Sequence, residues 1–109
     1  MPAEVSHAAY KCYVFVEPAD LQPGWDRDRV LNEIAARGVP CFSGSCSEVY
    51  LEKAFDETGW RPAERLPVAK ALGETSLMFL VHPTLTVAEM DKTCEVLAAV
   101  MDEAVCTIF

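Results

Sequence analysis

Apolar residues recur along this chain with two periods, one suited to strands and one to helices. Tyr10 to Val16 (Tyr-Lys-Cys-Tyr-Val-Phe-Val) is aromatic and β-branched and predicts a strand. One face carries Tyr10, Cys12, Val14 and Val16, and the other carries Lys11, Tyr13 and Phe15. Both faces are largely apolar, which predicts cover on both sides in the working state. Val30, Leu31, Ile34 and Ala35 then fall at helical spacing. Asp26 or Asp28 is placed to cap that helix, with Arg37 in its last turn and Gly38 as its stop. Val39 to Phe42 reads as a short strand.

The next stretch, Ser43-Gly44-Ser45-Cys46-Ser47-Glu48, is small and polar. Ser45 with Glu48 fits a capping box, so a helix is predicted through Val49, Tyr50, Leu51, Ala54 and Phe55. Trp60-Arg61-Pro62 opens an irregular loop, and Pro67 suits the first position of a short helix to about Gly73. Ser76 to Val81 is unbroken apolar sequence, the mark of a central strand. Thr86 and Glu89 form a second capping box, with Leu85 and Met90 placed as a hydrophobic staple. Met90, Cys94, Leu97, Met101 and Val105 give the closing helix its apolar stripe. This order of elements predicts an α+β fold: a small antiparallel or mixed sheet of about three strands, with helices packed mainly on one face.

The 109 residues make a single domain, 1–109. A net charge of −8 opposes phosphate backbones and anionic membrane surfaces, which argues against nucleic-acid and membrane partners. No apolar run approaches the roughly 20 residues that a bilayer-spanning helix needs. The first residues lack the basic and apolar regions of a secretion signal, and the cysteine count is five, an odd number. Together these predict reduced thiols and a cytoplasmic location. Cys12, Cys94 and Cys106 sit at apolar-periodic positions and are expected to be small core residues.

The usual catalytic signatures are missing. There is no phosphate-binding glycine loop of either common type and no His-Glu-x-x-His helix. Cys41 and Cys46 have no zinc-finger spacing to a histidine. A Cys46–His82 nucleophile pair is one candidate, since a thiol near a helix start is activated, but nothing in the sequence orients the histidine. Of the lysines at 11, 53, 70 and 92, the last three have polar neighbours, and Lys11 is flanked by aromatic residues. The serines at 43, 45 and 47 serve either as turn and cap residues or as polar contacts for a ligand.

Several segments taken in order carry a family resemblance. They are His7 through Val16, Arg29-Val30-Leu31 into Arg37-Gly38-Val39, Tyr50 to Phe55, Leu66 to Ala69, and Leu80 to Thr86. The series resembles the C-terminal small domain of DegT/StrS-type sugar aminotransferases, which have the aspartate-aminotransferase type of fold and use pyridoxal phosphate. The resemblance implies a chain that works beside a large N-terminal domain holding the cofactor lysine, in a homodimer. Amino transfer would run from glutamate or another amino acid to a keto-sugar carried on a nucleotide. No catalytic residue is expected in this chain, and no cofactor is expected on it alone. The resemblance implies a substrate-site wall drawn from Tyr10, Lys11, Ser43, Ser45, Ser47, Glu48 and His82. Many relatives carry a histidine followed by an aromatic residue where this chain has Phe42-Ser43-Gly44-Ser45. Without the large domain, an apolar surface including Tyr13, Phe15, Trp25 and Trp60 would be left open and would drive self-association. The alternative reading is a free-standing α+β ligand-binding or regulatory module that dimerises through its sheet.

Overall fold

Three strands pair antiparallel: β1 (Lys11–Phe15), β2 (Cys41–Phe42) and β3 (Ser76–Leu80), in the order β1-β3-β2. The computed structural model describes residues 3–6 and 8–105, so His7 and Cys106 lie outside the described residues. The unbroken apolar run is the central strand, paired along both edges and buried at four of its five residues. Register places Tyr13 opposite Met78 and Val14 opposite Leu77, while Cys41 meets Phe79 from the other side. Directly opposed residues share a face of the sheet. The inner face therefore carries Cys12, Val14, Leu77, Phe79 and Cys41, and the outer face carries Lys11, Tyr13, Phe15, Met78 and Phe42.

Of three helices, the first and third cover the inner face, and the second buries no residue. The first, α1 (Arg27–Ala36), starts at Asp26, whose carboxylate accepts the Arg29 N–H at 2.7 Å. It buries Val30 and Ile34 completely. The second, α2 (Pro67–Thr75), has Pro67 in its first turn and runs without a loop into β3. The third, α3 (Val87–Ala104), begins with the reciprocal Thr86–Glu89 capping box and buries Val100 and Ala104. Val30, Ile34, Leu77, Phe79, Val100 and Ala104 form the core between α1, α3 and the sheet. Each fully buried aliphatic side chain there contributes about 1.5–3 kcal/mol. Gln22 closes the far end, donating its backbone N–H to Ala104 O (2.8 Å) and its amide to Val105 O (2.9 Å).

The structure corrects four expectations. The helix predicted after Ser45 is absent. In its place are two single 3₁₀ turns, Val49–Leu51 and Lys53–Phe55, and Glu48 makes no capping bond. Arg61 is the reason: its guanidinium donates to the carbonyls of Tyr50 (2.8 Å), Leu51 (3.0 Å) and Glu52 (3.0 Å), which an α-helix would need as acceptors. So short a segment is marginal as a helix in any case and yields to that competition. Cys12 and Cys94 are exposed rather than core residues, because α3 is buried in its second half and open in its first. Trp25 is half-buried against the core with the Arg29 guanidinium 4.2 Å from its ring centre, whereas Tyr13, Phe15 and Trp60 are exposed as expected. The short second strand is confined to two residues, because Val39 and Pro40 precede the pairing and Pro40 has no N–H to give.

Candidate functional site

The segment after β2 crosses the outer face of β3 and reaches β1 on the far side, because β3 lies between the two edge strands. Ser43 O anchors the crossing by accepting the Ser76 hydroxyl at 2.7 Å. Arg27 adds a second anchor, donating to Ser76 O (2.7 Å) and to Ser43 O (3.4 Å). Gly44 follows at φ +91°, pressed so closely on the sheet that a Cβ there would lie 3.0 Å from Tyr13 Cε1 and 3.1 Å from Ser76 Oγ. Only glycine suits both that dihedral and that contact.

This crossing delivers Ser45 to the outer face of β1. Its Oγ is 2.7 Å from the Tyr13 hydroxyl and accepts from Lys11 Nζ at 3.5 Å. Lys11 and Tyr13 share that face because they alternate with Cys12 along the strand. The hydrogen bond with Ser45 holds the Tyr13 phenol below its ordinary value of 10.0, and the Lys11 charge adds to the effect. Tyr10, 79 % exposed, lies with its ring centre 5.3 Å from Lys11 Nζ. The result is an ammonium, a phenol and an alcohol grouped beside an open aromatic ring. Such a group can donate several hydrogen bonds to an anionic oxygen, and the ring offers a stacking face.

The other predicted residues serve different ends. Glu48 forms a two-bond pair with Arg65 (2.6 and 2.5 Å) and accepts the Tyr50 hydroxyl at 2.7 Å. Arg65 in first place, and Tyr50 after it, hold the Glu48 carboxyl at about 2, and Glu48 in turn holds Arg65 protonated. Tyr50 also accepts the Leu66 N–H at 2.9 Å, which fastens the loop to the start of α2. Ser47 packs on α2, where a methyl group at Gly73 would overlap its hydroxyl. Ser43 contributes its carbonyl to the crossing. His82 is exposed and bonds Thr84 Oγ1 through Nδ1 at 2.7 Å. Cys46 donates to Glu52 Oε1 at 3.6 Å, so its described partner is a carboxylate and not His82.

The structure thus brings Lys11 and Ser45 together, sets Tyr10 next to them, and places Ser43, Ser47 and Glu48 in supporting roles. Sequence reasoning did not select Tyr13, Arg27 or Arg65 for the site. Tyr13 carried a signal, since it alternates with Lys11. Arg27 and Arg65 carried none, because their partners lie 49 and 17 positions away. Among the described residues, no group of three or more His, Cys, Asp or Glu could hold a metal ion. No helix of the described residues is long and apolar enough to cross a membrane.

No family model and no curated protein matches the chain. A solved structure does: an aminotransferase from Psychrobacter cryohalolentis, 61% identical over 90% of this chain, with a TM-score of 0.86. The chain spans only 25% of that aminotransferase. It is similar in sequence and fold to one quarter of that enzyme, and its α+β architecture is that of the matching quarter.

Pyridoxal phosphate, the cofactor of aminotransferases, needs an amine for its aldehyde, a carboxylate or arginine at the ring nitrogen, and donors for its phosphate. The described residues do not converge such a set. Lys11 donates to the Ser45 hydroxyl, Lys70 is 3.7 Å from the Glu74 carboxylate, and Lys92 reaches back to Gly38. These residues do not fit the cofactor by themselves, and no step of its chemistry is derived from them.

Proposed function

We propose that this chain forms the small-domain part of a pyridoxal-phosphate aminotransferase of the DegT/StrS type, and that it walls the site where a nucleotide-linked keto-sugar receives its amino group. The match of 90% of the chain, at 61% identity, to one quarter of an aminotransferase carries the reading. The cofactor and the amine that binds it belong to the remaining, larger part, and the working unit is a homodimer in the cytoplasm. The crossing loop and β1 supply the wall. Lys11, with the Tyr13 and Ser45 hydroxyls, meets the anionic phosphates of the nucleotide. Tyr10 offers its ring to the base or sugar. Lys11 is the cation of this cluster on a chain with a net charge of −8, which localises anion binding there.

The test is a chimera in which the matching quarter of the Psychrobacter aminotransferase is replaced by this chain. The chimera should hold pyridoxal phosphate and show the cofactor's absorbance change on addition of L-glutamate. A folded, cofactor-loaded chimera that stays inert towards every amino donor accepted by the parent enzyme refutes the reading.

A further inference from the structure

We propose that the open edge of β1 is a docking surface for a second copy of this chain, the two β1 strands pairing antiparallel about a two-fold axis at Tyr13. The inference concerns this chain alone and does not depend on the proposed function. β1 ends the sheet on one side, with β3 as its neighbour on the other. The Val16 N–H donates to Thr75 O at 2.9 Å, and these two residues continue the register in which Phe15 faces Ser76. In an antiparallel ladder, directly opposed residues alternate between pairs that exchange hydrogen bonds and pairs that do not. Val16, Val14 and Cys12 therefore turn their backbone groups towards β3, and Lys11, Tyr13 and Phe15 turn theirs to the open edge. The Ser76 carbonyl agrees with this phase, since it turns away from β1 and accepts from Arg27. Among the described residues, no backbone group outside the ladder bonds the N–H or C=O of Lys11, Tyr13 or Phe15.

A row of open donors and acceptors is a template for another strand. The sequence of β1 favours its own copy as that strand. On a chain of net charge −8, Tyr10 to Val16 carries no carboxylate, so the charge that keeps copies apart lies elsewhere. An axis at Tyr13 sets Lys11 opposite Phe15 of the second copy, and Phe15 opposite that copy's Lys11. Every outward-facing group of both strands then has a partner, and each ammonium meets a ring instead of another ammonium. An axis at Lys11 would oppose the two lysines directly and engage less of the strand. On the inner side Cys12 faces Val14 of the second copy, so apolar meets apolar there too. Tyr13 and Phe15, both exposed in the single chain, lie along the seam.

The pairing joins two three-stranded sheets into one continuous sheet with the β1 strands at its centre. Its outer surface then carries both Lys11–Tyr13–Ser45 clusters. The two Lys11 Cα atoms stand about 14 Å apart across the seam, four strand residues along and one strand over. The contact is one strand wide, which places it among small, weak interfaces, so it fills as concentration rises. Salt screens the repulsion between two chains of net charge −8 and should tighten the pairing.

The experiment follows the chain in reducing buffer by sedimentation velocity and amide-exchange NMR, from dilute solution to NMR concentration. The mass should double over that range. With about nine-tenths of the chain paired, exchange through the open monomer slows about tenfold. That slowing should fall on the Lys11, Tyr13 and Phe15 amides, while those of Cys12 and Val14 stay protected at every concentration. Tyr13→Lys and Tyr13→Glu each set like charges against their own copy on the axis and should be monomeric; mixed in equal amounts, the two should pair again. Trp60→Lys, the same change at an exposed aromatic outside the sheet, should dimerise as wild type does. The alternation of amide exchange is read on the wild-type chain, so it decides the question even where a variant folds poorly. A chain that stays monomeric at NMR concentration overturns the proposal. So does a dimer whose Lys11, Tyr13 and Phe15 amides stay fast, or one broken by Trp60→Lys and not by Tyr13→Lys.

Discussion

Replacing Gly44 by alanine tests how the crossing loop reaches β1. At φ +91° an L side chain costs about 1–2 kcal/mol from backbone sterics alone. The added methyl also meets Tyr13 Cε1 at 3.0 Å and Ser76 Oγ at 3.1 Å, so both neighbours must retreat. That movement strains the 2.7 Å contact between Tyr13 and Ser45, a bond of the class that contributes about 0.5–1.5 kcal/mol. Gly44→Ala should then destabilise the chain by about 2–3 kcal/mol, or roughly 10 °C in unfolding midpoint for a domain of this size. Gly59 provides the control. Its φ is +72°, but a Cβ there meets nothing within 4 Å, so Gly59→Ala should lose only the backbone part, about 1 kcal/mol. Calorimetry of both variants isolates the crowding at Gly44. Tyrosine-selective carbon NMR should also show the Tyr13 phenol returning towards its ordinary value in Gly44→Ala. Equal midpoints for the two variants, or an unmoved Tyr13, would refute the close crossing.

Three further outcomes follow from the same contacts. Glu48 titrates at about 2 when folded, against an ordinary 4.5, so its stabilisation is complete above 4.5 and is lost as pH falls towards 2. Urea unfolding across that window should show a shallower acid loss for Glu48→Gln than for wild type, and parallel curves would contradict this. Arg61→Ala removes the donor that holds three carbonyls, so amide exchange should quicken over Val49–Phe55 while β3 stays protected; unchanged protection in the loop would count against that role. Leu77→Ala, at a residue 1 % exposed in the core, should cost about 2–5 kcal/mol by thermal unfolding, and a loss below about 1 kcal/mol would mean that the core lies elsewhere.

Much of the fold could be read from the sequence because its signals are local. Asp26, Thr86 with Glu89, and Pro67 act within a turn of their own helices, and the apolar run of β3 announces a strand paired on both edges. The region from Ser45 to Phe55 departs from its local pattern for a related reason. Ser45 and Glu48 have the spacing of a capping box, but distant residues claim them: Tyr13 and Lys11 take the serine, and Arg65 takes the glutamate. Local propensity loses there to charge-assisted bonds formed across the chain. The cysteines show a second limit. Periodicity places Cys12 and Cys94 on the correct faces, yet it says nothing of where a helix lifts from its sheet. Of the candidate site, the resemblance points to Lys11 and Ser45, while Tyr13 joins them through the sheet order that sends the loop across β3.

In the proposed function, the strand–loop junction is the part of this chain that meets substrate. Steady-state kinetics of the chimeric aminotransferase, with Lys11→Ala and Ser45→Ala introduced separately, tests it most directly. A charge-assisted hydrogen bond is worth about 1.5–3 kcal/mol, so loss of Lys11 should raise KM for the phosphate-bearing acceptor about tenfold or more. Ser45→Ala should raise it less, since the neutral hydroxyl contributes one bond and leaves the ammonium in place. Acceptor KM values equal to that of the unsubstituted chimera in both variants would contradict the account.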